Sequence, residues 1–318
     1  MSYFQIKIDF RNISGHAQIV DALAISFDAV ANDTVHFTIN LNTYSMLYSD
    51  HLVLIGSTVN HLRNKGIIVN GNFQDFRDTS PQVRYASRVN FFEQIGFTYN
   101  EDYNRQNSGG RFTVIKRFDD NNSLDIHKEI VSILLKDSIN QEMVTVLQYC
   151  LWEIIDNTLR HSLSDGTIHN GSGYISCQYF PDNKKIRLIV ADNGQGIHQA
   201  LTTHPESVHK DLDEMQAVVN CIVKGVTNST GRGFGLWATS TLIKENGGKL
   251  LIHSGNHLLE IDSNNTIKST SKWQGAYTYI RVNTDVAVTY DKIFEDDVQK
   301  NLFDELKDNI LGNLDELW

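Results

Sequence analysis

Apolar and polar residues alternate in several segments of the first hundred residues, as they do in half-buried β-strands. Three segments predict strands: YFQIKIDF at 3–10, VHFTINL at 35–41 and KGIIVNGNF at 65–73. Three others have helical periodicity: about 16–31, 50–64 and 82–95. Strands that alternate with helices predict an α/β domain over residues 1–100, in which helices cover a small sheet.

A polar stretch without periodicity, YNEDYNRQNSGGR at 99–111, predicts a domain boundary. Helices are predicted beyond it at about 124–137, 140–163 and 235–246, and strands at 112–118, 173–180, 185–192, 249–254, 257–262 and 275–282. This pattern predicts a second α/β domain over residues 112–285, a mostly antiparallel sheet with helices packed on it. Apolar residues at helical spacing in 286–318 predict an acidic helical tail, which either packs on its own domain or binds a partner.

Composition narrows the class of protein. The chain has 318 residues, of which 41% are hydrophobic and 21% charged, as in ordinary globular proteins of two domains. A net charge of -10 argues against a nucleic-acid partner. Three dispersed cysteines without a CxxC pair indicate a reducing compartment, and no leader or membrane-spanning stretch is recognisable. We expect a cytoplasmic protein that binds neither membrane nor nucleic acid.

The long predicted helix, LQYCLWEIIDNTLRHS, carries the first candidate site residues. Glu153, Asn157 and His161 recur at i, i+4 and i+8, opposite the apolar face. Such a stripe is typical of a solvated face, but an Asn amide in mid-helix can also ligate a hydrated cation. Glu153, one turn earlier, is placed to orient or deprotonate a water or hydroxyl group.

A second candidate follows a buried strand, in LIVADNGQGI. The carboxylate of Asp192 can accept a hydrogen bond from an exocyclic amino group such as that of adenine. Gly194 and Gly196 would let a base lie against the main chain. Asp-Asn-Gly is also a common turn sequence, so this stretch alone does not decide between a turn and a site.

The third candidate is TGRGFGL, in which Gly231, Gly233 and Gly235 alternate directly before a predicted helix. Backbone N–H groups in a glycine-rich loop that leads into a helix N-terminus form a site for phosphates. The spacing is neither that of a P-loop nor that of a dinucleotide-binding fingerprint.

Taken together, the motifs E-x-x-x-N at 153–157, D-x-G-x-G at 192–196 and G-x-G-x-G-L at 231–236 resemble those of the GHKL superfamily. This superfamily of ATP-binding domains includes gyrase, the heat-shock chaperone of the ninety-kilodalton class, histidine kinases and mismatch-repair ATPases. The resemblance covers about residues 112–282. It implies the Bergerat α/β sandwich with a mixed, mostly antiparallel sheet, and a site for ATP and Mg²⁺.

The resemblance also implies roles for individual residues. Asn157 would hold Mg²⁺, Asp192 would bind the adenine amino group, and Gly194 and Gly196 would line the base. Segment 198–230 corresponds to a mobile lid. The other expected cofactor contacts are His161, Ile197, Lys224, Gly231, Arg232, Gly233, Phe234, Gly235, Leu236 and Thr278, the last in place of the threonine of a Gly-Thr pair that here reads Gly275-Ala276.

Glu153 falls where gyrase-like members and anti-sigma kinases carry their general base. Three functions stay open: an ATPase that switches conformation, an anti-sigma-type serine/threonine kinase, and a nucleotide sensor without turnover. A nucleotide sensor has no need of a base. Residues 100–140 also lack the dimerisation hairpin in which sensor histidine kinases carry their phospho-acceptor histidine, so His127 is expected to be an ordinary surface residue. ATPase or switch is favoured, with a regulatory protein or a second copy of the chain as partner.

The first domain resembles a STAS domain, the anti-sigma-factor-antagonist fold, in FTINLNTYSMLYSDHLVLIGSTVNHLRNKGIIVNGNF and in RVNFFEQIGF. Alignment on the Asp-Ser-Ser-Gly-Leu loop of that fold places Ser49 on the first serine and Asp50 on the second, the usual phospho-acceptor. A carboxylate then replaces the acceptor. The domain is either a fixed mimic of the phosphorylated state or an interaction module, and the degenerate motif favours the interaction module.

Overall fold

The computed structural model describes residues 1–105, 110–134, 139–162, 171–228 and 233–294. Its strands are β1 Tyr3–Asp9, β2 Thr34–Asn40, β3 Ile68–Phe73, β4 Lys116–Asp119, β5 Ser172–Phe180, β6 Lys185–Ala191, β7 Lys249–Ile261 and β8 Thr266–Asn283. Its α-helices are α1 His16–Leu23, α2 Ser49–Asn64, α3 Pro81–Arg88, α4 Phe91–Gln94, α5 Ser123–Leu134, α6 Gln141–His161, α7 Gly196–Thr202, α8 Glu214–Asn220, α9 Gly235–Asn246 and α10 Tyr290–Ile293. The predicted tail, 286–318, lies mostly beyond these ranges.

The first sheet is parallel, in the order β1-β2-β3, as alternation of strands and helices predicts. Two predicted helices are shorter than expected. The segment at 16–31 ends its α-helix at Leu23 and continues as a 3-10 helix to Asp28. The segment at 82–95 is split at Asn90, whose left-handed backbone (φ 62°) separates α3 from α4. The resemblance to a STAS domain stays a prediction.

The second sheet has the order β4-β5-β6-β8-β7, and all of its neighbouring strands are antiparallel. The predicted strands at 249–254 and 257–262 are one continuous strand, β7. A bulge at Gly255 (φ 58°) shifts the register without ending the pairing to β8. Helices α5, α6 and α9 pack on one face of this sheet. His127 is buried in α5, with Nε2 3.1 Å from the carbonyl oxygen of Gln148, so its predicted place on the surface is wrong.

Helices α1 and α2 lie between the two sheets and contact both of them. The first eleven residues of α2, 49–59, are buried all around the helix, as a helix between two packed layers must be. In β6, Leu188 and Val190 face the helices of the second domain, while Ile189 and Ala191 face the first domain. The two predicted domains therefore share a core, and the boundary at 99–111 stays a prediction.

This interdomain core contains a charged pair. Arg187 of β6 donates from Nε to Oδ2 of Asp50 at 2.7 Å, and its guanidinium lies 3.6 Å from the ring centre of Tyr48. Burial would raise the pKa of Asp50, but the charge of Arg187 and the neighbouring His16 and His51 outweigh it and hold that pKa well below its usual range. Asp50, the residue aligned on the phospho-acceptor, is therefore an ionised group inside the interface.

Candidate functional site

A cavity of about 540 Å³ lies between α6, the end of β6, α7 and the start of α9. Its size is within the usual range for small-molecule sites. Its walls are formed by Tyr149, Trp152, Glu153, Ile154, Asp156, Asn157, Thr158, Arg160, His161, Val190, Asp192, Gly196, Ile197, Ala200, Leu201, Cys221, Val226, Thr227, Asn228, Gly233, Phe234, Gly235, Leu236, Ala276 and Thr278.

One wall is the polar stripe of α6. The helix begins after Asn140, whose side chain caps it by accepting the N–H of Met143 at 2.9 Å. Its apolar face is buried against the sheet, so Glu153, Asn157 and His161 project into the cavity on the other side. This position is compatible with the interpretation in which the stripe lines a site, and that interpretation stays a prediction.

Glu153 is a half-buried carboxylate at the start of α9. A Cβ added to Gly235, the first residue of α9, would lie 2.5 Å from Oε2 of Glu153, so only glycine allows the two helices to approach this closely. Burial, and then the charge of Asp156, raise the pKa of Glu153 to about 6, against a hydrogen bond from Tyr149. The carboxylate thus titrates close to neutral pH.

Asp192 lies directly after β6, at the bottom of the cavity, and is 7% exposed. Its Oδ1 accepts the N–H of Gly194 at 2.8 Å, and its own N–H donates to the carbonyl oxygen of Ala276 at 2.8 Å. Burial raises the pKa of Asp192 to about 7. A buried carboxylate in this position can accept a hydrogen bond from a ligand N–H group.

Contacts from the other side of the sheet hold the main chain at Asp192. The indole Nε1 of Trp273 donates to the carbonyl oxygen of Asp192 at 3.0 Å. Gly275, at φ 90°, lies so close that a Cβ there would be 2.6 Å from Oδ1 of Asp192. Trp273 also packs edge-on against Phe27 of the first domain, at 5.6 Å between ring centres. The first domain thus supports the bottom of the cavity through one intervening side chain.

The turn after Asp192 shapes the adjacent wall. Gly196, at φ 79°, has Ser254 so close that a Cβ would lie 2.7 Å from its Oγ. The same Oγ accepts the N–H of Ile197 at 2.9 Å, which fixes the start of α7. Thr278 of β8 pairs with Val190 of β6 in the sheet register, and both line the cavity. The proposed substitution of Thr278 for the missing threonine is compatible with this place.

The glycine-rich stretch reaches the cavity at its described end. Gly231 and Arg232 lie outside the described residues. Gly233 has φ 67°, and its carbonyl oxygen accepts the N–H of Gly225 at 2.9 Å. Phe234, Gly235 and Leu236 continue along the wall into the first turn of α9. A helix N-terminus therefore faces the cavity, with the partial positive charge that favours anions.

Two candidate residues are not on the cavity wall. Gly194 packs against the end of α6, where a Cβ would lie 2.1 Å from the carbonyl oxygen of Ser162, so its role here is close packing of the chain. The ammonium group of Lys224 lies 4.8 Å from the ring centre of Trp237. Both are predicted ligand contacts that the structure places beside the cavity.

The sequence motifs do not predict several residues of the cavity wall. Tyr149 lies four residues before Glu153 and extends the polar stripe of α6 by one turn. This spacing could have identified Tyr149 as a wall residue. Trp152 and Asp156 lie on the same helix beside that stripe. Ala200 and Cys221 come from α7 and from the residue after α8, and no motif marks them.

The residues present suit a nucleotide with its metal ion. The cavity offers a buried acceptor at Asp192, a side-chain amide at Asn157, and the α9 N-terminus for anionic groups. At Gly196 and Gly233 the main chain packs so closely on neighbouring segments that a Cβ would lie 2.7 and 2.5 Å from their atoms, so glycine holds both parts of the wall in place. None of the helices in the described ranges has the length and apolar character needed to cross a bilayer.

Residues 143–285 match a family model described as "Histidine kinase-, DNA gyrase B-, and HSP90-like ATPase". The match begins within α6 and ends just after β8, so it includes every described residue of the cavity wall. No curated protein matches the chain.

Proposed function

We propose that this protein binds ATP with Mg²⁺ in the cavity and hydrolyses it, because residues 143–285 match the family model of histidine kinase-, DNA gyrase B- and HSP90-like ATPases, whose members bind ATP. Glu153 is the general base. The observation that carries this proposal is the place of the Glu153 carboxylate, on the cavity wall one turn from Asn157 and against the first turn of α9. Hydrolysis then switches the conformation of the protein or its affinity for a regulatory partner.

The adenine end of the nucleotide is assigned to Asp192. Its carboxylate accepts a hydrogen bond from the exocyclic amino group, and Thr278 contacts the same end of the base. The phosphates lie at the opposite end of the cavity, where the N–H groups from Gly233 to Leu236 open the first turn of α9. The Asn157 amide would supply an oxygen ligand to Mg²⁺, which would neutralise phosphate charge.

In the chemical step a water molecule attacks the γ-phosphorus, and Glu153 accepts its proton. The bond from the γ-phosphorus to the bridging oxygen of ADP breaks, which gives ADP and inorganic phosphate. A pKa of about 6 leaves Glu153 ionised at neutral pH but still basic enough to take the proton. A base of lower pKa would be ionised as well, but it would be a weaker proton acceptor.

The fold argues against transfer of phosphate to the first domain of the same chain. Val190 and Thr278 face the cavity, while Arg187, which pairs with Asp50, points to the opposite face of the sheet. Ser49 is also on that far side, where its Oγ accepts a hydrogen bond from Ser176 at 2.8 Å. The sheet separates both residues from the cavity, so a kinase of this architecture would need an acceptor on another protein.

The test follows γ-labelled ATP with the purified full chain and Mg²⁺, and measures free phosphate and protein-bound label. Wild-type protein is compared with Glu153→Gln and with Asp120→Asn, which removes an exposed carboxylate outside the cavity. Nucleotide affinity is measured separately by calorimetry, with Asn157→Ala as the variant expected to lose Mg-ATP. We expect phosphate release in wild type and Asp120→Asn, and none in Glu153→Gln, which still binds ATP.

Normal turnover by Glu153→Gln would refute the assignment of the base. Label on an added protein, lost in the same variant, would replace hydrolysis by kinase chemistry at the same site. Binding of ATP without release or transfer of phosphate by wild type would leave a nucleotide sensor, and absence of binding would refute the proposal as a whole.

A further inference from the structure

Three side chains that commonly bind metal ions meet behind the second sheet, on the opposite side from the nucleotide cavity. His16 is the first residue of α1, and Asp50 and His51 are in the first turn of α2. Nε2 of His16 lies 3.6 Å from Oδ1 of Asp50, and Nε2 of His51 lies 3.7 Å from the same oxygen. One ligand atom from each residue lies within 4.8 Å of the others, and all three residues are buried.

The contacts among these groups do not satisfy them. Nε2 of His16 and Oδ1 of Asp50 are buried and have no hydrogen-bond partner in the part of the chain that the structure describes. Their separation of 3.6 Å is longer than a hydrogen bond. Buried polar atoms without partners are uncommon, and two that face each other point to something bound between them.

We propose that His16, Asp50 and His51 bind one divalent transition-metal ion, with Zn²⁺ as the best fit. Metal–ligand distances of about 2.0–2.2 Å in a tetrahedral site separate neighbouring ligand atoms by about 3.3–3.6 Å. The two histidine–aspartate separations of 3.6 and 3.7 Å already approach this value. Two imidazole nitrogens and one carboxylate oxygen suit Zn²⁺, whereas Mg²⁺ and Ca²⁺ prefer oxygen ligands throughout.

Arg187 gives the site an outer contact of the kind that metal-binding carboxylates have. Its Nε donates to Oδ2 of Asp50 at 2.7 Å, which holds the carboxylate and leaves Oδ1 for the ion. The charges of Asp50 and Arg187 cancel, so the ion adds positive charge to the interface. The ring of Tyr48 against the guanidinium at 3.6 Å reduces that cost, and a hydroxide in the open fourth position would reduce it further.

The ion would join α1 to α2 next to the strand that leads to Asp192. Both helices lie between the two sheets, so the ion would stabilise the packing of the first domain on the second. This role needs neither ATP nor turnover, and the proposal is independent of the proposed function.

The experiment measures metal in full-length protein that has been stripped with a chelator, loaded with ZnCl₂ and desalted. Wild type is compared with His16→Gln and His51→Gln, with Arg187→Met, and with His36→Gln, which alters a histidine outside the cluster in the same domain. Asn157→Ala tests whether the metal is instead in the nucleotide cavity. Circular dichroism checks that each variant is folded, and Co²⁺ spectra report whether the ligands include a thiolate.

We expect one Zn²⁺ per chain in wild type, His36→Gln and Asn157→Ala, and loss of that ion in both cluster variants. Arg187→Met should weaken Zn²⁺ binding roughly 10- to 100-fold, as changes to outer contacts of metal ligands do. The Co²⁺ form should have tetrahedral absorption without a thiolate charge-transfer band. Absence of bound Zn²⁺ in wild type, or its retention in folded His16→Gln and His51→Gln, would overturn the proposal.

Discussion

The burial of Asp192 predicts that its neutral replacement, Asp192→Asn, makes the protein more stable. The pKa of this carboxyl is raised from an ordinary 3.8 to about 7 by burial. A difference of about three pH units, at 1.36 kcal/mol for each, corresponds to roughly 4 kcal/mol of destabilisation when the group is ionised. Asparagine keeps an oxygen that can accept the N–H of Gly194, so most of the local structure is retained.

The sign and the pH window follow from the two pKa values. Below the unfolded value of 3.8 the carboxyl is neutral in both states and costs nothing. Between 3.8 and about 7 the unfolded chain releases the proton and the folded protein retains it, so the stability of wild type falls as pH rises. The advantage of Asp192→Asn should therefore be about 2 kcal/mol at pH 5 and reach roughly 4 kcal/mol above pH 7.

The assay is urea unfolding of nucleotide-free protein, followed by circular dichroism at pH 5 and pH 8. Asp120→Asn, a change at an exposed carboxylate, is the control and should alter stability by less than about 0.5 kcal/mol at either pH. The same Asp192→Asn protein should lose most of its ATP affinity, because an amide that donates replaces the carboxylate oxygen that accepts the adenine amino group in the proposed site. A gain in stability with a loss of binding is the trade-off expected at a binding site. No gain at pH 8, or an equal gain at both pH values, would refute the reasoning.

Three further predictions concern the base, the start of α9 and the domain interface. Turnover should fall about tenfold for each pH unit below about 6, as Glu153 takes up a proton, and a flat pH–rate profile from pH 5 to 8 would contradict its role. Gly235→Ala should place a methyl group 2.5 Å from Oε2 of Glu153. This contact should lower turnover at least tenfold and reduce the free energy of unfolding in urea by about 1–3 kcal/mol. Turnover equal to that of wild type would show that the two helices can move apart. Asp50→Asn leaves Arg187 buried without its charge partner and should lower the free energy of unfolding, measured with chelator present, by about 3–5 kcal/mol. The double variant Asp50→Asn/Arg187→Met should regain most of this loss. A loss below about 1 kcal/mol for the single change would mean that the pair is accessible to water.

The sequence was sufficient to predict the family that residues 143–285 match and to select most of the candidate residues that line the cavity, because both depend on local patterns. Helical spacing placed Glu153, Asn157 and His161 on one face of α6, and the turn after β6 placed Asp192 and Gly196 at its end. Short motifs of this kind require particular residues at fixed spacing, whatever the rest of the chain does. The same spacing could have added Tyr149, which lies one step earlier on the stripe.

Tertiary structure alone decided how these local pieces meet. The spacing on α6 was equally compatible with a solvated face, and only the packing of α7 and α9 turned that face into a cavity wall. Contacts between residues far apart in the chain also place Gly194 against Ser162 and Lys224 over Trp237. Such contacts bury His127 as well.

The interface between the domains shows most clearly which features local sequence patterns predict and which depend on tertiary packing. Helical periodicity placed Asp50 at the start of a helix, as in α2, but it could not show that Arg187 lies opposite it, 137 positions along the chain. The alternation of side chains along β6 predicts that Arg187 and Val190 face opposite sides of a sheet. It does not predict which elements cover each side. Which partner covers a face depends on long-range packing, and here that packing separates the cavity beside α6 from the cluster of His16, Asp50 and His51 by the thickness of one sheet.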